Sequence, residues 1–382
     1  MNLQAPHFAR IGRALLTRRV PVYAHFGITH RCDLTCKMCG IWRYGNKKEE
    51  LSVDEIHAMA QRFARMGVVQ VAIGGGEPFA YENLEEAARG FIDAGINLRL
   101  LTNAVQVPTE RLQKCLDYGV ENFSISLDSL YPDRFDYICE KEGSWEGAVR
   151  NMTWLANELR GTGGTLVMNT VVSNLNLEEI PDLVRFAQAI GFHISLLPIE
   201  LLADAKDGVR NWEARFIRHR PEMGLKAGPQ GNVSERIDKT YAELIRMKKA
   251  GAPILNSTPY LRASATYLKS GRFPADGCDA GRLYFSVSPN GQFTICHRTS
   301  HDYIHILDDD FEEYFNSLEY ELSRKTEAAS CEGCMRACWI DTSSMFRTFE
   351  GFFDTAKMML TPDRRTPLSW SEAQEWARHD PV

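Results

Sequence analysis

No stretch of this 382-residue chain approaches the roughly 20 consecutive apolar residues that cross a bilayer, which argues against a helical membrane protein. The N-terminus has no continuous apolar core followed by a small-residue cleavage site, so no secretory signal is read there and the cytoplasm is the expected address. Basic residues are not in excess: 44 Lys and Arg stand against 50 Asp and Glu, a net charge of -6. That balance disfavours a polyanion binder, and no nucleic-acid partner is expected. A phosphate-binding P-loop, a zinc-protease motif, a nucleophile elbow, solenoid repeats and low-complexity tracts are absent as well.

What the chain does have is cysteine, ten in all. Without a mark of secretion a disulfide framework is not expected; tight thiol clusters in a reducing compartment bind metal or react. Cys115 and Cys139 stand alone and read as packing residues. The others form two groups. In the first, RCDLTCKMCGIW sets Cys32, Cys36 and Cys39 in a C-x3-C-x2-C pattern. A closed zinc site takes four ligands, and no paired His or Cys follows nearby. Iron–sulfur clusters also take four thiolates, so three on a four-iron cluster leave one iron open to a small molecule.

Between residues 20 and 200, β-rich runs alternate with helical patterns. The expected strands are Tyr23 to Ile28, Val69 to Gly74, Asn97 to Thr102, Asn122 to Leu127, Leu166 to Val172 and Phe192 to Leu197. Every gap has room for a crossover helix, so the strands are expected to be parallel. Gly67, Gly95, Gly119 and Gly191 fall where left-handed helix caps are wanted, and Ser52 to Glu55 reads as a capping box. Six strand–helix repeats predict a parallel α/β barrel or partial barrel with its chemistry at the C-terminal strand ends. A doubly wound open sheet uses the same pattern, and period alone does not separate the two.

After residue 200 the pattern changes. Residues 201 to 232 carry little periodicity, GPQGN marks a loop, and Val233 to Ala250 read as a charged amphipathic helix closed by Gly251. In SVSPNGQFTIC the PNG between two β-rich runs signals a hairpin. The expected organisation is an N-terminal basic helix (1–20), a barrel (21–200), a connecting helical segment (201–252), a cysteine-rich α+β domain (253–345) and a C-terminal tail (346–382).

The first cysteine pattern, directly after the first strand, resembles the signature of radical S-adenosylmethionine (radical SAM) enzymes. In that family a partial barrel presents a [4Fe–4S] cluster whose open iron binds the amino and carboxylate groups of S-adenosylmethionine. Reductive cleavage of the sulfonium gives a 5'-deoxyadenosyl radical, which takes a hydrogen atom from substrate. The resemblance also implies an external electron donor of flavodoxin or ferredoxin type. Met38 fills a position where an aromatic is commoner in the family. The segment AIGGGEPF resembles the family's G-G-E-P motif and implies cofactor contacts from Gly74, Gly75, Gly76, Glu77 and Pro78. Read without the family, the glycines permit close backbone approach to a ligand, and Glu77 suits a ligand ammonium. At later strand ends the resemblance carries cofactor contacts onto Thr102, Ser126 and Asn169. Asp128 reads equally as a contact or as a loop cap.

The second group is Cys278, Cys296, Cys331, Cys334 and Cys338, two around the hairpin and three in a knuckle after a helix. Four thiolates enclose either zinc or a four-iron cluster, and spacing alone does not choose. The segment resembles the C-terminal auxiliary-cluster domains of the SPASM and twitch types. Five cysteines in place of seven imply one auxiliary [4Fe–4S] cluster, with Cys278, Cys296, Cys331 and Cys334 as ligands and Cys338 a spare or a replacement. An auxiliary oxidant favours net two-electron oxidation; redox-neutral epimerisation or elimination stays open, and a non-catalytic iron–sulfur or zinc scaffold is the rival from another class.

Substrate clues are few. The expected substrate is a sugar or cyclitol, then a ribosomal peptide, then a lipid precursor. The short segment before Cys32 leaves no room for the extra peptide-binding domain common in peptide-acting members. Residues 1–20 carry Arg10, Arg13, Arg18 and Arg19 and no acid, so membrane-surface contact is one reading and packing on the barrel the preferred one. No catalytic residue is assigned: His25, His193, Glu200 and His297 lie where a base is wanted, and a structural role is preferred for each.

Overall fold

The computed structural model describes residues 5–44, 50–199, 223, 225, 232–271, 278–296, 304–331, 333–360 and 367–378. Glu200, His297, residues 228–231 of the GPQGN loop and the side chain of Cys338 lie outside the described set. Helix α1 (Ala5–Thr17) precedes strand β1 (Tyr23–Thr29). Then follow α2 (Val53–Met66), β2 (Gln70–Gly75), α3 (Leu84–Asp93), β3 (Asn97–Thr102), α4 (Thr109–Asp117) and β4 (Asn122–Ser126). Two helices, α5 (Pro132–Cys139) and α6 (Ser144–Glu158), lead to β5 (Thr165–Val172), and α7 (Ile180–Ala189) leads to β6 (His193–Pro198). All six strands stand where the β-rich runs put them, and their pairings β1 to β6 are parallel in sequence order. Gly67, Gly95, Gly119 and Gly191 take the positive φ of a helix stop, and Ser52 and Glu55 form the reciprocal cap at the head of α2.

The pleat sorts the residues. Phe26 of β1 stacks towards Phe91 of α3 at 6.5 Å, so Phe26, Val71, Ile73, Leu98, Leu100, Phe123 and Ile125 form the layer between strands and helices. Their alternates, His25, Gly74, Arg99, Ser124, Ser126 and Asn169, face the other side of the sheet, the inside of the barrel.

Beyond α8 (Val233–Lys249) and α9 (Thr258–Ser270) comes the hairpin of β7 (Tyr284–Val287) and β8 (Phe293–Thr294). Its turn is where the PNG signal put it, but β7 runs parallel to β1, Tyr284 opposite Tyr23 and Val287 opposite Phe26. The hairpin read from sequence as part of the cysteine-rich segment thus extends the barrel sheet to eight strands, in the order β6-β5-β4-β3-β2-β1-β7-β8. The pairing occupies the free edge of β1, and the opposite edge is covered too: Ile194 of β6 bonds Pro253 and Leu255, while Asn256 Oδ1 accepts from Leu196 N at 2.6 Å. The sheet is an open, partial barrel.

Aromatic rings bind the hairpin to the barrel. Phe285 lies 5.2 Å from Phe63 of α2 and 5.3 Å from Phe293 of β8, and Phe293 meets Phe311, Phe315 and Tyr320 of α10 (Phe311–Asn316) and α11 (Leu318–Ser330). Helices α12 (Ala337–Arg347), α13 (Phe349–Leu360) and α14 (Trp370–Gln374) complete the chain. Phe285 is fully buried at the centre of this cluster. Phe285→Ala is expected to cost about 3–5 kcal/mol in chemical denaturation; a loss under about 1 kcal/mol would mean hairpin and barrel are not one core.

Candidate active site

Residues 30–40 leave the C-terminal end of β1, and β2 ends alongside in the GGGEP turn. The two segments go on pairing past their strands: Gly76 N donates to Thr29 O at 2.7 Å and Glu77 N to Arg31 O at 2.8 Å. A Cβ on Gly75 would stand 2.2 Å from Thr29 O, and one on Gly76 2.1 Å from Arg31 O; Gly75 also has φ +121°. The close approach these glycines allow is to the cysteine loop's own backbone. It brings Glu77 beside Cys32.

Glu77 is buried, with three donors on its carboxylate. Thr102 Oγ1 reaches Oε1 at 2.7 Å, Phe79 N reaches Oε1 at 3.2 Å, and Asn103 N reaches Oε2 at 2.8 Å. Asn103 Nδ2 donates in turn to Asp33 Oδ1 at 2.8 Å, inside the cysteine loop. Burial outweighs these bonds and pushes the Glu77 carboxyl up to about 7. Pro78 is buried and opens a short 3-10 turn that Glu77 caps. Ala104, at φ 55°, is held in that strained conformation by Thr102 Oγ1 on its N–H and Asn151 Nδ2 on its carbonyl.

The loop is pinned on its other side. Arg31 makes two bonds to Glu50, at 2.9 and 2.8 Å, and Thr29 Oγ1 donates to the same carboxylate. Cys39 N donates to Cys36 O, Trp42 Nε1 to Cys39 O, and Lys37 N to Ile138 O of α5. All three thiols are half-buried, and Met38 packs on the core beside them. Cys115 is a core residue as expected, but Cys139 is not isolated: its thiol meets that of Cys36, which this contact and burial hold well above the ordinary thiol range. Burial does the same to Cys32.

Ser126 and Asn169 are register partners on β4 and β5, half-buried on the inner face. Asp128 is a loop cap: Oδ1 accepts from Val171 N at 2.7 Å, and burial raises its carboxyl to about 7. Next to it Glu179 accepts from Ser129 and Arg134. A cavity of about 370 Å³ opens there, lined by Asp133, Arg134, Tyr137, Asn174 and Leu175, with Lys37 Nζ 4.0 Å above the Tyr137 ring. His25 is half-buried on the inner face, its pKa lowered to about 3 by desolvation and by Arg336.

The C-terminal thiols also draw together. Cys278 Sγ lies 3.2 Å from Tyr284 Oη, Cys331 is close enough to Cys278 to act on its charge, and Cys334 does the same to Tyr284. Cys296 follows Thr294, the partner of Ser286, by two residues. Gly333 N donates to Cys331 Sγ at 3.4 Å.

Both donor sets are thiols, the soft ligands that iron–sulfur clusters take, so the chemistry of the residues present fits such a group. Among the described residues no three Cys, His, Asp or Glu side chains converge on a single-ion site.

Residues 26–187 match the family model described as the Radical SAM superfamily. A match to that family implies a [4Fe–4S] cluster and S-adenosylmethionine. The chain is 31% identical over 183 residues to PqqA peptide cyclase of Rhodopseudomonas palustris, 47% of each chain. It is 28% identical over 271 residues to PqqA peptide cyclase of Rhizobium meliloti, 71% of this chain and 66% of that one. It is 29% identical over 186 residues to GTP 3',8-cyclase of Rhizobium etli, 47% of this chain and 52% of that one. The chain thus spans about half the length of the curated relatives it matches. Streptococcus suis SuiB, solved with its precursor peptide SuiA, shares the fold: TM-score 0.58 at 15% identity over 86% of this chain and 75% of that one. No helix among the described residues is long and apolar enough to cross a membrane.

Glu77 and Asp128 give the site a pH signature. Their carboxyls sit near 7 when folded and near 4 when unfolded, so between about pH 5 and 7 the folded chain holds protons the unfolded chain has released. Stability of the cluster-free protein is expected to fall as pH rises through that window. Glu77→Gln should flatten the slope of melting temperature against pH; an unaltered slope would show Glu77 ionised throughout.

Proposed function

We propose that the chain is a radical SAM oxidoreductase acting on a peptide, with Cys32, Cys36 and Cys39 holding the [4Fe–4S] cluster that binds S-adenosylmethionine. When bound, the cluster and S-adenosylmethionine supply reductive cleavage of the sulfonium and a 5'-deoxyadenosyl radical that abstracts hydrogen. The observation that carries the reading is the junction of cysteine loop and GGGEP turn, where Glu77, fixed by Thr102 and Asn103, offers a buried carboxylate beside Cys32. A carboxylate raised by burial gains most from a cation, which suits the cofactor's ammonium. Gly74, Gly75, Gly76 and Pro78 shape that wall, Ser126 and Asn169 line the inner face further round, and Met38 adds an apolar contact.

Cys278, Cys296, Cys331 and Cys334 are proposed to hold an auxiliary [4Fe–4S] cluster, which favours net oxidation by dehydrogenation or bond formation. An external electron donor of flavodoxin or ferredoxin type supplies the first electron. The peptide is preferred for a specific reason: similarity to one peptide cyclase, that of Rhizobium meliloti, runs over 271 residues, beyond the barrel, whereas the matches to GTP 3',8-cyclase run over 186 to 188. Sequence alone ranks a sugar or cyclitol first; the extent of this similarity reverses the order.

The test is anaerobic reconstitution with iron and sulfide, then dithionite and S-adenosylmethionine. About eight irons per chain and 5'-deoxyadenosine are expected, falling to about four irons in Cys278→Ala, with cleavage abolished in Cys36→Ala. About four irons in the unaltered chain, with zinc bound, would remove the auxiliary cluster; a fully loaded chain that forms no 5'-deoxyadenosine would remove the radical reading.

A further inference from the structure

Tyr284 meets the thiol of Cys278 directly and lies near that of Cys334. Its ring is fully buried at the head of β7, and its hydroxyl meets Cys278 Sγ at 3.2 Å and Ser343 Oγ of α12 at 2.8 Å. Ser343 is buried as well. The arrangement is braced: Arg347, one helical turn past Ser343, makes two bonds at 2.8 and 2.7 Å to Asp279, the neighbour of Cys278. Helix α12 and the segment that carries Cys278 are therefore tied together.

The proton order in this chain follows from chemistry. A ligating sulfur is a thiolate and has no proton to give. Tyr284 must then donate to Cys278 Sγ, which leaves its oxygen to accept from Ser343. Each bond polarises the next, so the serine strengthens the tyrosine as a donor.

We propose that Tyr284, backed by Ser343, donates a hydrogen bond to the ligating sulfur of Cys278 and so raises the reduction potential of the auxiliary cluster. The inference rests on the assignment of Cys278 as a ligand. A donor on a cluster sulfur stabilises the more negative, reduced state, and hydrogen bonds to the sulfurs are among the levers that set cluster potentials. A higher potential suits a group that accepts an electron in a net oxidation. Tyr284 and Ser343 are positioning residues, and neither is placed against substrate.

The experiment is an EPR-monitored redox titration of the reconstituted full chain, with iron counted in every sample. Tyr284→Phe is expected to keep about eight irons while one cluster's potential becomes more negative and the other's stays put; Ser343→Ala should move the same potential the same way by less. Retained iron with both potentials unmoved in Tyr284→Phe overturns the proposal. Where Tyr284→Phe loses iron, Ser343→Ala, which keeps the phenol, decides: an unmoved potential overturns the proposal. Cys278→Ala separates the two levels. A full iron complement in that variant sinks the ligand assignment itself, whereas lost iron with unmoved potentials in the other two variants sinks the hydrogen bond alone.

Discussion

Two backbone hydrogen bonds, from Gly76 to Thr29 and from Glu77 to Arg31, extend the pairing of β1 and β2 beyond the strands and fuse two sequence motifs into one wall. No side chain fits between them at Gly75 or Gly76. The rest of the site depends on that contact. Glu77 reaches the end of β3 through Thr102 and Asn103, and Asn103 returns to the cysteine loop through Asp33. A closed ring of bonds thus joins the ends of three adjacent strands, and its register is that of the sheet itself.

The ring is not electrostatically at rest. Three donors on Glu77 fail to offset the cost of burying its charge, and Asp128, with Val171 N as its donor, is in the same position. Burial holds both carboxyls near 7. The half-buried thiols of Cys32 and Cys36, the proposed iron ligands, are raised as well, and iron binding would need them deprotonated. The mouth of the barrel thus gathers acids whose protonated form burial favours, and positively charged iron and a ligand ammonium would each favour their ionised form.

How much of this was legible in the sequence follows from the range of each interaction. Strands, helix stops and the Ser52 cap were readable because period and local caps act over a few residues. The cysteine spacing and the GGGEP turn stood out because their residue types are rare in combination. Glu50, Arg31 and Asn103 were missed: each acts through a partner brought near only by tertiary folding, and nothing in their local sequence marks it. The glycines were readable as places of close approach, but the party approached was the chain itself. Cys139 looked solitary because its neighbour, Cys36, is distant in sequence. The pairing of β7 with β1 spans most of the chain, and no local signal announces a parallel partner at that separation.

That pairing fixes where the second thiol group can act. Tyr284 stands opposite Tyr23, at the start of β1, whereas the first cysteine loop leaves the strand after Thr29. At about 3.3 Å per residue the two levels are roughly 20 Å apart along the strand. One small substrate group does not touch both. The phenylalanine cluster from Phe63 through Phe285 to Phe293 makes the spacing rigid, since moving the hairpin would open a core as densely packed as the barrel's own. The C-terminal thiols are thereby suited to act on the barrel mouth at a distance, through electrons or through scaffolding. For the proposed auxiliary cluster the potential set by the sulfurs' hydrogen-bond donors would matter more than contact with substrate, which gives the environment of Tyr284 more weight than its remoteness from the mouth suggests.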